Sequence, residues 1–281
     1  MTAEDHEMYP NAPVALVAAE IKYPGEIGTP VPSRVQHALG DALGDEWVFD
    51  PVVVPQAGIS VQVGRQPITS QPAGFPASAL LRFADRQKGS AVAFTGGSVA
   101  VETTRYQNWP TFRSTLETAI RAAEKLLRPS GITRAGLRYI DEVRVGGIEG
   151  AEWDGWLSPS VLPPASPAMA KAGWPPVAWT NLAQYTIGEH RNLVLRYGPQ
   201  SAQPGFTVKP DGPLLRPGPR PAGPFFLLDF DASWQPTGVP RWDSDLLLKT
   251  YDELRRPVRK LFDEIVTERL EAEVFGRGPL R

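Results

Sequence analysis

The chain has no cysteine, and that single absence excludes disulfides, thiolate nucleophiles and zinc–thiolate centres together. Histidine is almost as scarce: His6, His37 and His190 are the only three, with no metal-ligand spacing among them. There is no excess of positive charge. The formal net charge is −2, so the simplest electrostatic case for nucleic acid is missing. No apolar run approaches the roughly 18 residues that a membrane span needs, and residues 1–10 lack the basic-then-apolar layout of a secretion signal. The expectation is a cytoplasmic protein with no membrane contact. Gly-x-Ser-x-Gly, His-Glu-x-x-His, Walker and Rossmann patterns are also absent, which removes the motif-bearing hydrolases and nucleotide enzymes. No cofactor is expected, and an enzyme would have to use dispersed residues.

What is present suits a folded chain: 281 residues, 42% of them hydrophobic, can bury a substantial core. The 30 prolines and 26 glycines cluster between periodic segments and read as loops. Two proline-rich passages stand out, 159–176 and 199–224, the second with eight prolines in 26 residues. At mid-chain, Phe112, Leu116, Ala119, Ile120, Ala123, Leu126 and Leu127 recur at helical spacing after Asn108, an N-cap residue, and Pro110. A period-two segment follows from Arg134 to Val145, with Leu137, Tyr139, Val143 and Val145 on one face and Arg134, Arg138, Glu142 and Arg144 on the other.

Before this joint the chain reads as a strand (14–23), a short helix beginning near Ser33, short β-like runs at 47–54 and 59–63, a surface excursion over 64–78, and three antiparallel strands (80–84, 90–95, 99–106). After it come a short helix at 153–157, a hairpin around Gly188-Glu189-His190, a strand from Phe225, and a long helix capped by Asp243 or Ser244. Pro257 falls inside the stripe of that last helix and predicts a kink. The expected class is α+β, a tandem-repeat fold of two sheet-and-helix halves, 11–130 and 131–275, with the element order of the TATA-binding-protein-like topology.

Three segments carry a family resemblance: Asn11-Ala12-Pro13-Val14, Gly136-Leu137-Arg138-Tyr139-Ile140-Asp141, and Leu261-Phe262 followed by Ile265-Val266-Thr267. Together they resemble the pattern of a sporadically distributed family of uncharacterised bacterial proteins, in which Asn is commoner at the position of Asp141. The resemblance implies a bacterial cytoplasmic protein and brings no activity with it. The bias of 22 arginines to 7 lysines suits a GC-rich genome.

Candidate residues divide among three functions. Four tryptophans, Trp153, Trp156, Trp174 and Trp179, lie in or beside the first proline-rich passage, and tryptophan is enriched where proteins meet. They suggest a non-catalytic protein-binding or assembly protein, with another protein as partner and a bacterial toxin–antitoxin or defence setting; the competing reading is that they pin the loops to the body. Asp229 and Asp231 flank Phe230 and share a strand face, as two carboxylates for a divalent metal would, and with Asp141 they suggest a metal-dependent phosphoesterase as the alternative. Arg134, Arg138 and Arg144 could receive an anion such as a nucleic-acid phosphate, although Glu142 interrupts them. Arg138 and Asp141 are expected to form a structural ion pair that holds the central strand in register.

Overall fold

The computed structural model of the chain describes residues 9–25, 33–51, 60–63, 66–69, 80–146, 153–162, 173, 179–200 and 223–276. Within these, the first part contains β1 (Val14–Lys22), α1 (Ser33–Leu43), β2 (Trp47–Phe49), β3 (Ser60–Val63), β4 (Gln66–Thr69), β5 (Leu81–Asp85), β6 (Ser90–Phe94), β7 (Ser98–Thr103) and α2 (Trp109–Leu126). The second contains β8 (Arg134–Val143), a 3-10 turn at Pro159–Val161, β9 (Asn181–Gly188), β10 (Arg191–Gln200), β11 (Phe225–Trp234), α3 (Ser244–Ile265) and α4 (Glu268–Glu273). The protein is α+β: nine strands form one antiparallel sheet in the order β2-β5-β6-β7-β1-β8-β11-β10-β9, and β3 pairs with β4 in a separate hairpin.

The helices begin where local chemistry dictates. Asn108 Oδ1 accepts the Thr111 amide at 2.8 Å and Pro110 occupies the first turn of α2, so two of the helix's orphan N–H positions are dealt with at once. Asp243 caps α3 by accepting from Leu246 N at 2.9 Å, and Thr267 caps α4 by accepting from Leu270 N at 3.2 Å. The apolar faces of α2 and α3 then pack on one side of the sheet, burying Leu116, Ile120, Leu247, Tyr251 and Leu254 against Ala19, Leu137 and Phe230. Full burial of each large apolar side chain is worth roughly 1.5–3 kcal/mol, so this layer supplies most of the driving force for docking helices on sheet. Between the two helices Asp252 accepts from Trp109 Nε1 at 2.8 Å and pairs with Arg113 at 3.0 Å.

At the centre β1 pairs with β7 on one side and β8 on the other. The β1–β8 register slips between Val14 and Leu16, leaving Ala15 as a bulge: Val14 faces Asp141, while Leu16 already faces Ile140. Ala15, Leu16 and Ile140 form a small apolar cluster with Leu227, separate from the main core.

Three details depart from the pattern in the sequence. Trp153–Leu157 is a turn, not a helix: Trp156 N and Leu157 N both donate to Trp153 O, and Gly155 sits at φ +75°, where a helix cannot continue. Leu157 then bridges to Val266, which fastens this turn to the end of α3. Part of the expected 64–78 excursion is strand β4. Finally, the long last helix stops at Ile265 and a separate short helix, α4, follows it, because Val266 takes an extended conformation between them.

Candidate functional site

The arginine-bearing face of β8 is neutralised. Arg138 donates to both carboxylate oxygens of Asp229, at 2.7 and 2.8 Å, and Arg196 approaches the same group at 3.3 Å. Arg134 bridges Glu20 and Asp231, each at 3.3 Å, and Arg144 holds the buried Glu142 at 3.0 Å. The Asp229 carboxylate, only 4% exposed, fixes the Arg138 guanidinium and holds its pKa above the ordinary value. These arginines are therefore committed to carboxylates rather than presented to a phosphate.

Two further expectations fail on strand geometry. Arg138 pairs with Asp229 and not with Asp141, because residues three apart on a strand point to opposite faces. For the same reason Asp141 lies on the helix-covered side while Asp229 and Asp231 lie on the other, so the three carboxylates do not converge. Among the described residues no group of three or more His, Asp or Glu side chains is placed to hold a metal ion.

The tryptophans are largely structural. Trp153 is 1% exposed and packs edge-on against Phe226 at 5.3 Å, so it offers no surface to a partner. Trp179 meets Phe226 and Tyr197 edge-on at 5.5 and 5.9 Å. Trp156 lies under the Arg269 guanidinium, 3.7 Å from its ring centroid. Trp174 lies outside the described residues. Trp153 and Trp179 pin the 153–162 turn and the residues before β9 to the sheet, Trp156 packs that turn against α4, and no helix among the described residues is long and apolar enough to cross a membrane.

A different place gathers chemistry. A cavity of about 510 Å³ opens where the bulged end of β1, the N-terminus of α2 and the middle of α3 meet. Its walls come from distant parts of the chain: Tyr9 with the 12–14 segment, Tyr106 and Trp109, Tyr139 and Asp141, and Phe262 beside Arg255 and Arg259. The bulge at Ala15 is what turns Val14 toward the cavity and Leu16 away from it. Tyr9 is fixed by its rings' neighbours, Phe275 at 5.0 Å and Phe262 at 6.3 Å, and donates to Glu271. Asn11 N donates to Phe275 O at 3.1 Å, so the N-terminal segment is strapped across the C-terminal helices.

The electrostatics of the cavity are graded from floor to rim. Asp141, 2% exposed, and Tyr139, 8% exposed, form the floor. Burial pushes the Tyr139 phenol well above its usual value, with the neighbouring Tyr106 adding to the effect, so it stays a hydrogen-bond donor through the physiological range. Its hydroxyl is buried close to Tyr106 and makes no hydrogen bond of full geometry among the described residues. Burial and the bond to Glu271 likewise raise Tyr9 to about 12. At the rim Arg259 pairs with Asp263 at 2.8 Å and lies over the Tyr9 and Phe262 rings. Arg255 stacks over Trp109 at 5.6 Å and, among the described residues, has no carboxylate within 4.0 Å.

Three separated segments reach this cavity, through Ala12, Pro13 and Val14, through Tyr139 and Asp141, and through Phe262. No protein-family model matches the chain, and no curated protein matches it. Arg255 and Arg259 escaped the sequence reading because they sit beside the apolar stripe of α3. The available signal was their spacing: two arginines four apart repel by a few tenths of a kcal/mol on a helix, a pairing that core packing does not require.

Proposed function

We propose that the protein is a non-catalytic binding protein whose site is the cavity between β1, α2 and α3. The observation that carries this reading is the combination of about 510 Å³ of space with aromatic walls and a few convergent polar groups. Small-molecule sites have this size and composition, ~300–1,000 Å³ and mostly apolar. The protein-partner reading of the tryptophans is not carried forward, since Trp153 is a core residue and Trp179 packs on its neighbours.

The same proposal includes two halves of similar order, the TATA-binding-protein-like arrangement expected from the sequence. Supporting it, β1 and β8 lie side by side at the centre, and each is flanked on its other side by the last strand of its own half, β7 or β11. Each half then ends in a long helix, α2 or α3, and the cavity lies where those helices approach the central strands.

Ala12→Trp places an indole at the mouth of the cavity from an exposed position and tests the site without disturbing the core. A panel of small organic compounds screened by thermal shift should yield compounds that stabilise the wild type and not this variant. Stabilisation of both to the same degree, or of neither, would overturn the reading.

A further inference from the structure

Resting on the reading of the cavity as a ligand site, we infer that the ligand class is an organic anion with an aromatic body, its acidic group at the rim and a hydroxyl or amine-type hydrogen-bonding group at the floor. The rim is where positive charge is available. Arg259 already shares its charge with Asp263, whereas Arg255 lies over the Trp109 ring and beside the neutral Tyr106 hydroxyl, and has no carboxylate within 4.0 Å among the described residues. A guanidinium spread over an indole face presents its N–H edge sideways, and that edge is a two-point fit to a carboxylate. The N-terminus of α2, from Asn108 to Thr111, lines the same side of the cavity and adds a partial positive charge of the same sense.

A second, independent observation points inward. Tyr139 is only 8% exposed and lines the cavity, and its buried hydroxyl has only the neighbouring Tyr106 hydroxyl near it, in a geometry short of a good hydrogen bond, among the described residues. A buried hydroxyl with a poorly aligned partner gains from a better one, and a ligand oxygen or nitrogen at the floor supplies it. Beside it, Asp141 sets the polarity of that end. A carboxylate on the floor repels a second anion and accepts from a donor, so the acidic group of the ligand is directed to Arg255 and its neutral polar group to Tyr139 and Asp141. Between the two ends the rings of Tyr106, Trp109, Phe230 and Phe262 leave room for a planar apolar body.

Three probes of one shape separate these contributions: 6-hydroxy-2-naphthoate carries both polar ends, methyl 6-hydroxy-2-naphthoate lacks the charge, and 6-methoxy-2-naphthoate lacks the donor. Calorimetric titration of the wild-type chain should show the hydroxynaphthoate binding about tenfold or more tighter than either of the others, the difference from the ester shrinking at high salt. Arg255→Gln should bring the acid and the ester to the same affinity, with Arg255→Lys intermediate, while far-ultraviolet circular dichroism stays that of the wild type. Tyr139→Phe should weaken the hydroxynaphthoate and the methoxynaphthoate alike, since either ligand oxygen accepts from the Tyr139 hydroxyl, and should leave the preference for hydroxy over methoxy, set by Asp141, in place. If the ester binds as well as the acid, and Arg255→Gln changes neither, the anion assignment fails while the site itself stands. If none of the three binds the wild type or the Arg255 variants, the anion assignment and the site reading fail together.

Discussion

Val14 of β1 faces Asp141 of β8 across a register that slips one residue later, at Ala15. Because side chains alternate along a strand, that single extra residue sends Val14 into the cavity and Leu16 to the opposite side of the sheet. Two segments more than a hundred residues apart are thereby joined at one wall of a pocket, and the strap from Tyr9 to Asn11 across α4 closes it from the other side.

The Arg138–Asp229 contact should be a large contributor to stability, since Asp229 is almost fully buried and both of its oxygens are taken by Arg138. Removing one partner of such a pair leaves an undercompensated buried charge and costs roughly 3–5 kcal/mol. Arg196 offsets part of that here, so Arg138→Ala should cost about 3 kcal/mol in urea denaturation, and Arg138→Ala with Arg196→Ala clearly more. A change below about 1 kcal/mol for the single variant would show that solvent reaches Asp229.

Close backbone approach makes two glycines irreplaceable. A Cβ at Gly198 would lie 2.1 Å from the Trp179 carbonyl oxygen, and one at Gly25 would lie 1.9 Å from that of Gly96. Neither obstacle is a flexible side chain, so Gly198→Ala and Gly25→Ala should each cost about 1–3 kcal/mol, read as a lowered thermal midpoint. Unchanged midpoints would mean that these segments pack more loosely than the geometry indicates.

Much of this architecture was legible in the sequence, and the reasons are local. Helix α2 announced itself through Asn108, Pro110 and a stripe from Phe112 to Ala123, and the β9–β10 hairpin through Gly188, Glu189 and His190. The partnership of Arg138 was not legible, since the carboxylate it holds is ninety-one residues away on β11, and strand parity alone was enough to rule out Asp141. Trp153 looked like a surface tryptophan because it sits between Glu152 and Asp154 just ahead of a proline-rich passage; Phe226, brought over by β11, makes its place a core. The cavity was the least visible feature of all. Tyr9, Val14, Tyr139 and Arg255 come from four separate segments, and no window of sequence contains more than a part of it.

Alkaline pH should weaken the fold through its buried phenols. Burial holds Tyr23 up to about 12, against an ordinary value near 10, and its hydroxyl donates to Thr95 O. The folded state therefore holds this proton more tightly than the unfolded state does. The stabilisation is complete below pH of about 10 and is lost as pH rises through about 12. Urea midpoints measured at pH 9, 10 and 11 should fall less steeply for Tyr23→Phe than for the wild type, and parallel curves would contradict the assignment.

The most direct measurement of the central claim is a calorimetric titration of methyl 6-hydroxy-2-naphthoate into the wild type and into Ala12→Trp, because this probe depends on the cavity and not on the charge at its rim. Saturable one-to-one binding to the wild type and none to the variant is expected, with both folded by circular dichroism. Equal binding to the two proteins, or no binding to the wild type, would contradict it.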